Sequence, residues 1–267
     1  MRTLLHLSDL HFGRIDPALM APLKARVEQL APDLVVVSGD LTQRARSRQF
    51  QAARVFLDSL PGPRIVVPGN HDVPLYNLLN RFLRPLDKYR RYISDDLAPE
   101  YVDEQIAVLG VNTARALTFK DGRIGHDQIA RLRARLASLP PHLTKVVVTH
   151  HPFDLPPYLA SGDLVRRGPL AMAMFADHGV DLLLAGHLHA SHAGNTAARH
   201  PIAGYAALMV QAGTATSTRG RGEANSFNLL RIEPGRITVE RYGWLRDGFE
   251  LAGSETFSRA GDAWSAV

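Results

Sequence analysis

The sequence contains no cysteine. That excludes disulfides, thiolate metal sites and cysteine nucleophiles, so any metal must be held by nitrogen and oxygen donors. No run approaches the roughly 20 apolar residues of a membrane helix. The opening Met1-Arg2-Thr3-Leu4-Leu5-His6-Leu7-Ser8-Asp9 turns polar too early for a signal peptide and lacks a small-residue cleavage pattern. The expectation is a cytoplasmic protein. There is no internal repeat, low-complexity segment or interdomain linker, so the 267 residues are read as one domain, 1–267. Lysine is scarce: Lys24, Lys88, Lys120 and Lys145 are the four, and arginine supplies most of the 31 basic residues. The net charge of +5 suits an anionic substrate without identifying it.

What is present is an α/β rhythm. Leu4–Leu7, Asp33–Val37 and Arg64–Val67 are short apolar strands, separated by segments 17–31 and 48–60 with apolar residues at helical spacing. Strand and helix alternating at this spacing imply parallel strands with crossover helices. Strands also fit 106–111, 145–149 and 181–185, and helices fit 125–139 and 169–178. After residue 189 the pattern changes, and 205–212, 226–232 and 237–242 read as antiparallel strands. Residues 73–100 break the rhythm with Tyr76, Tyr89 and Tyr92 among Arg81, Arg84, Arg90 and Arg91, and read as a helical cap over the site opening. Residues 251–267 read as a loose tail.

The chemistry lies at the strand ends. Ile65-Val66-Val67 is stopped by Pro68-Gly69, and Asn70, His71 and Asp72 follow together at its C-terminal end, where α/β sheets bind ligands. Asn70 offers a carbonyl oxygen to a metal, His71 can hold or donate a proton near neutral pH, and Asp72 can orient its neighbour. Four more strand ends repeat the device: Asp9 with His11, Asp40, His150, and His187 with His189. Asp-x-His and His-x-His spacings aim alternate residues the same way if the chain is extended. One polar strand end is ordinary turn chemistry; five in one chain, all with nitrogen and oxygen donors, are not.

Asp9-x-His11, Gly39-Asp40, Gly69-Asn70-His71-Asp72, His150-x-Pro152 and Gly186-His187-x-His189, in this order, resemble the five signature blocks of the calcineurin-like metallophosphoesterases. The resemblance implies a four-layer α/β/β/α sandwich of two mixed sheets, with a dinuclear metal site at the strand C-terminal ends. It implies one ion on Asp9, His11, Asp40 and His189, a second on Asp40, Asn70, His150 and His187, and Asp40 as the bridge. The family's spacing to Pro152 selects His150 over His151. His71 is implied to stand at the leaving group, and Asp72 beside it in the catalytic set. Imidazole and carboxylate ligands suit manganese, iron or zinc, without choosing among them.

The implied reaction is hydrolysis of a phosphoester by in-line attack of a hydroxide bridging two divalent ions. Compact length and the Gly-Asn-His-Asp and Gly-His-Leu-His blocks make the chain similar to the class III cyclic-nucleotide phosphodiesterase and glycerophosphodiesterase branch, with a small-molecule phosphoester as partner. Candidate substrate contacts are Arg44 and Arg46 shortly after Asp40, Arg219 and Arg221 after the last block, and Asn112 at another strand end; guanidinium forks suit phosphate. Three other functions stand beside this one. A phospholipid or lipid-linked pyrophosphate hydrolase is suggested by the Leu, Phe82, Tyr and Arg of 73–100, which fit peripheral contact with an anionic membrane. A DNA nuclease is suggested by Leu7-Ser8-Asp9-Leu10-His11-Phe12-Gly13, but the sequence shows nothing comparable to the DNA-binding segments of such enzymes, so the expectation is that nucleic acid is not the substrate. A non-catalytic scaffold would need a degraded site, and every motif residue is present. Oligomeric state is not readable.

Overall fold

The computed structural model describes residues 1–75, 78–116, 120–156, 163–219 and 222–267. The chain opens with β1 (Arg2–Leu7), α1 (Pro17–Leu30), β2 (Leu34–Val37), α2 (Ser47–Asp58) and β3 (Arg64–Val66). Asp16 caps α1 by accepting from the Ala18 N–H, and Pro17 occupies the first helical position, where its missing N–H costs nothing. The helix ends at Ala31, whose left-handed φ of 42° lets its N–H return to the Val27 and Glu28 carbonyls. In α2, Phe50, Ala53, Phe56 and Leu57 recur at helical spacing and are the buried face.

Two short helices follow, α3 (Leu78–Leu83) and α4 (Asp87–Tyr92), and then β4 (Glu100–Val102), β5 (Ile106–Gly110), α5 (His126–Ser138), β6 (Thr144–Val148), α6 (Gly168–Asp177) and β7 (Leu182–Ala185). The remainder is all strand: β8 (His192–Asn195), β9 (Tyr205–Ala206), β10 (Leu208–Gln211), β11 (Ser226–Glu233), β12 (Arg236–Leu245), β13 (Gly248–Ala260) and β14 (Asp262–Ala266).

The strands form an eight-stranded sheet, ordered β3-β2-β1-β11-β12-β13-β14-β9, and a six-stranded sheet, ordered β4-β5-β6-β7-β10-β8. In each, parallel strands from the βα units are extended by antiparallel ones: β1 runs parallel to β2 and antiparallel to β11, and β10 runs parallel to β7 and antiparallel to β8. Side-chain alternation sets the layers. Leu5 and Leu7 of β1, with Val35 and Val37 of β2, face α1 and α2. Their neighbours Leu4, Leu34 and Val36 face the other way and pack with Val108, Val146, Val148, Leu182 and Leu184 of the second sheet. The outer side of that sheet packs on Ile129, Leu132 and Leu136 of α5 and on Met172 and Phe175 of α6. Helix, sheet, sheet, helix is the expected sandwich of two mixed sheets.

Three expectations are corrected. The tail 251–267 is not loose; it is most of β13 and all of β14, and it buries Phe257 and Trp264 between the sheets. Alternation of one large apolar residue with exposed polar ones hides such edge strands from a reading by apolar runs. Segment 205–212 is split: β9 runs parallel to β14, whereas β10 is central in the other sheet. The 73–100 segment is more than a cap. Val73, Leu86 and Tyr89 sit in the same core cluster as α1 and α2, and the Tyr89 hydroxyl donates to the Val66 carbonyl at 2.8 Å. Tyr76 lies outside the described residues.

Candidate metal centre

The rim at the C-terminal ends of β1, β2, β3, β6 and β7 gathers the motif residues from both sheets. Asp9, His11, Asp40 and Asn70 follow strands of the first sheet; His150, His187 and His189 follow strands of the second. Five of these seven have positive φ: Asp9 53°, His11 50°, Asp40 53°, His187 73° and His189 57°. Non-glycine residues rarely adopt that region, and held strain of this kind concentrates at functional sites. The finding also corrects how the x-spaced pairs converge. Residues 9–11 and 187–189 are not extended; two left-handed residues flank a buried Leu10 and a buried Leu188 and fold the polar pair inward.

Glycines make the approach close enough. A Cβ on Gly69 would collide with the Asp40 backbone and carboxylate, and one on Gly186 with the side chains of Ser8 and Asp9. Asp40, at φ 53°, is thus clasped between Gly39 (φ 97°) and Gly69.

Two donor groups result. In one, His189 Nε2 lies 3.1 Å and His11 Nε2 3.5 Å from Asp9 Oδ1, and the two Nε2 atoms are 3.1 Å apart. In the other, Asn70 Oδ1 lies 3.1 Å from His150 Nε2 and 3.2 Å from His187 Nδ1. Asp40 spans them, with Oδ2 3.7 Å from His11 Nε2 and Oδ1 3.4 Å from His150 Nε2.

Hydrogen bonds behind the rings fix which nitrogen faces inward. His150 Nδ1 donates to the Ser38 carbonyl (2.7 Å) and His189 Nδ1 to the Arg219 carbonyl (2.9 Å), so both Nε2 lone pairs point into the site. Asp9 Oδ2 accepts from the Ser8 hydroxyl (2.7 Å) and the His187 N–H (3.0 Å), whereas buried Asp9 Oδ1 has no hydrogen-bond donor among the described residues. Imidazole nitrogens with their lone pairs turned inward crowd around a buried carboxylate oxygen that has no hydrogen-bond donor among the described residues. Such an array is stable only around cations. The donor set therefore fits divalent ions.

The electrostatics agree. Burial resists charge throughout, yet the facing imidazoles hold the Asp9 and Asp40 carboxyls well below the usual carboxylate range. Burial likewise resists a charged His150, but the Asp40 carboxylate outweighs it and pushes that imidazole up to about 9; Asp9 raises His189 in the same way.

His151 lies within the same cluster of rings but does not offer a lone pair to it. Its Nδ1 is 2.8 Å from the Thr113 hydroxyl and its Nε2 is 2.8 Å from the Lys120 carbonyl, which occupies both nitrogens. Burial, then the neighbouring His187 and His150, keep it neutral. Selection of His150 as the inward-facing residue follows.

His71 stands edge-on to His11, ring centroids 4.9 Å apart. Its Nδ1 donates to the Gln43 carbonyl (3.0 Å), which leaves Nε2 to accept from Arg219 Nη1 (3.0 Å). Burial is the main reason its pKa lies below the normal histidine value.

Asp72 departs from its expected catalytic place. It is buried, and its carboxylate accepts from the Gly69, Leu41 and Thr42 N–H groups and the Thr42 hydroxyl, at 2.9–3.1 Å. Burial, then the nearby Asp40 charge, push its pKa up to about 6. Asp72 ties the loop after β2 to the loop after β3; the Gln43 carbonyl, not Asp72, orients His71.

The other candidates are distributed unevenly. Arg219 reaches the centre. Arg44 is half-buried, with Nη1 3.5 Å from the Gln43 oxygen that His71 also uses. Arg46 is exposed and precedes α2. Asn112 caps its own turn, its Oδ1 accepting from the Ala114 N–H at 2.9 Å. Arg221 lies outside the described residues. Asp163, 3.7 Å from His187 Nε2, had no sequence signal, because a lone acid in an irregular loop belongs to no pattern.

The calcineurin-like phosphoesterase family model matches residues 2–191. Over 229 residues the chain is 29% identical to the glycerophosphodiester phosphodiesterase GpdQ of Enterobacter lignolyticus, covering 74% of this chain and 78% of GpdQ. It is 27% identical over 201 residues to the 3',5'-cyclic adenosine monophosphate phosphodiesterase CpdA of Escherichia coli, covering 70% and 69%. In fold it is similar to a dimetal phosphatase from Danio rerio, with a TM-score of 0.69, 14% identity, and coverage of 97% of this chain and 99% of that one.

Proposed function

The chain belongs to the calcineurin-like phosphoesterase family and is a metal-dependent phosphoric ester hydrolase, and we propose that its substrates are small phosphodiesters cleaved at a two-ion centre bridged by Asp40. One ion is held by Asp9, His11, Asp40 and His189, the other by Asp40, Asn70, His150 and His187. The observation that carries this reading is Asp40 itself, whose two oxygens face the two donor groups separately.

Bound there, the ions supply positive charge for the phosphate, a lowered pKa for attacking water and a clamp on the entering and leaving oxygens. Asp9 and Asp40 are the two carboxylates among the ligands, so two divalent ions leave the centre with excess positive charge. Arg219 adds to it. His71 works at the leaving group. Its Nδ1–H is committed to Gln43, so Nε2 is where it takes a proton from solvent once the arriving phosphate draws the Arg219 guanidinium off that nitrogen, and burial keeps the ring neutral until that anion stabilises the imidazolium. The imidazolium then protonates the departing alkoxide. The Gln43 carbonyl keeps that ring in place.

Both similar enzymes are named for diesters, one of glycerol and one a cyclic nucleotide. The test is a manganese-supplemented comparison of bis(p-nitrophenyl) phosphate, p-nitrophenyl phosphate, and 2′,3′- and 3′,5′-cyclic AMP. The diester is expected to be turned over faster than the monoester, with loss of about 10²- to 10⁴-fold in His71→Ala. Undiminished turnover in Asp40→Ala would sink the mechanism. Cyclic-nucleotide turnover would place the enzyme with the CpdA-like activities.

A second reading, an amphiphilic phosphoester met at a membrane surface, is favoured by exposed Leu79 (69%), Phe82 (53%) and Leu83 (71%) on α3. Co-sedimentation with anionic liposomes, lost in Phe82→Ser, is its expected result. Among the described residues no helix is long and apolar enough to cross a membrane.

A further inference from the structure

A cleft of about 1380 Å³ opens between α3, α4 and the α5 side of the second sheet. Eight arginines and three acids line it, an excess of five positive charges that equals the formal net charge of the whole chain, +5. Everywhere else the charges of the protein cancel. Some of the cleft arginines are neutralised locally: Arg135 by Glu100 (2.7 Å) and Arg166 by Asp121 (2.6 Å).

Arg115, Arg123 and Arg167 are not. Among the described residues, no carboxylate comes within ion-pair distance of these three. Arg115 Nε donates to the Arg123 carbonyl (3.1 Å), another Arg115 nitrogen donates to Gln128 Oε1, and Arg167 Nη1 donates to the Ile124 carbonyl (3.2 Å). All these acceptors are uncharged. The backbone holds the group together. The Arg123 N–H bonds the Thr113 carbonyl (2.9 Å), and Arg123 and Arg166 face each other in a parallel bridge. Arg115 is half-buried, and burial with the adjoining Arg123 and Arg167 charges holds its pKa below the arginine norm. Arg115 therefore feels two like charges with no carboxylate beside them, a repulsion that an anion bound among the three would relieve.

The cleft backs onto the metal centre through one buried layer. Asn112 and Ala114 line it, and between them Thr113 contacts His151, whose ring lies 4.6 Å from that of His187. Phe82, Leu83 and Leu97 supply an apolar part of the wall.

We infer that Arg115, Arg123 and Arg167 bind a second, non-reacting phosphate of the substrate, while the scissile phosphoester lies at the metal centre. This rests on the phosphodiesterase reading above and specifies its substrate class: a phosphodiester whose alcohol carries another phosphate. The reacting bond is unchanged; the second phosphate contributes binding and orientation.

The test uses two synthetic substrates, p-nitrophenyl glyceryl phosphate and the same diester phosphorylated on the far glycerol hydroxyl. Wild type is expected to show roughly ten-fold higher kcat/KM for the phosphorylated diester, mostly through KM. Arg115→Gln/Arg123→Gln should bring the two substrates within about twofold of each other and leave the unphosphorylated one near wild type; Arg115→Lys/Arg123→Lys, keeping the charge, should retain part of the preference. No preference in wild type, or full preference in the Gln variant, overturns the inference. If neither substrate is cleaved, it is the diesterase reading that fails. Calorimetric titration with glycerol 1,3-bisphosphate then decides the cleft: roughly ten-fold weaker binding in the folded Gln variant supports it, and equal affinity rejects it. An acylated form of the phosphorylated diester separates sources: a further gain, abolished by Phe82→Ser, assigns the phosphate to a lipid, and no gain assigns a soluble ester, the arginine dependence supporting the site in both cases.

Discussion

Arg219 is the residue through which the two histidine roles meet. Its carbonyl fixes His189 and its guanidinium caps His71. Arg219→Ala removes only the second contact, so metal content should hold while kcat falls by about ten-fold or more and the acidic limb of the pH–rate profile moves; Arg219→Lys should recover part of the rate. An unchanged kcat and pH profile would refute a role at His71. Gly69→Ala makes the opposite prediction. A methyl group there displaces Asp40, so bound metal measured by elemental analysis should drop below one ion per chain while the far-ultraviolet circular dichroism is kept. At this scale the sequence was most informative. Donor residues after apolar runs announced the seven candidate ligands, whereas Asp163 beside His187 had no such signal. What stayed hidden acts through the backbone, since the Ser38, Gln43 and Arg219 carbonyls that orient His150, His71 and His189 carry no side-chain signature. Asp72 shows the converse: a polar motif residue was legible, but whether it faces the reaction or holds two loops together depends on which N–H groups surround it.

Elements were legible to the degree that one face of each is continuously apolar. The helices at 17–30, 47–58, 126–138 and 168–177 lie within a residue or two of where their spacing puts them. β13 and β14 escaped notice because most of their residues are exposed, with Phe257 and Trp264 the two large side chains they bury in the intersheet core. That makes a strong claim about Trp264. It is almost fully buried, and its Nε1 is 3.2 Å from Asp181 Oδ1. Trp264→Ala should cost about 3–5 kcal/mol and lower Tm by roughly 10 °C in thermal denaturation, with the metal centre intact in the remaining folded protein. A shift of a degree or two would show that the C-terminal hairpin is peripheral to stability after all.

For the molecule as a whole, acid is the informative stress. His6 lies wholly buried on β1, its Nε2 2.9 Å from the Ser38 hydroxyl, and burial lowers its pKa to about 3. A histidine near 6.5 when unfolded and near 3 when folded binds its proton first in the unfolded chain. Stability from this residue is therefore complete above pH 6.5 and is lost as pH falls, by about 3 kcal/mol at pH 4. Chemical denaturation at several pH values should show that slope, and His6→Asn should flatten it; equal slopes would refute the assignment. The layered architecture followed from strand–helix alternation and from the motif resemblance, whereas the membership of each sheet did not, because pairing between β1 and β11 or β7 and β10 joins segments that no local pattern relates.

The two sheets meet through an apolar seam, and at one rim loops from both place their candidate ligands together. Metal ions bound there would act as rivets between the two sheets. Loading them should slow amide exchange together in the loops after β1, β2, β6 and β7, although those loops belong to different sheets, and stripping them should loosen the rim while the apolar seam stays shut. Catalytic competence and closure of the sandwich at its mouth are then one event.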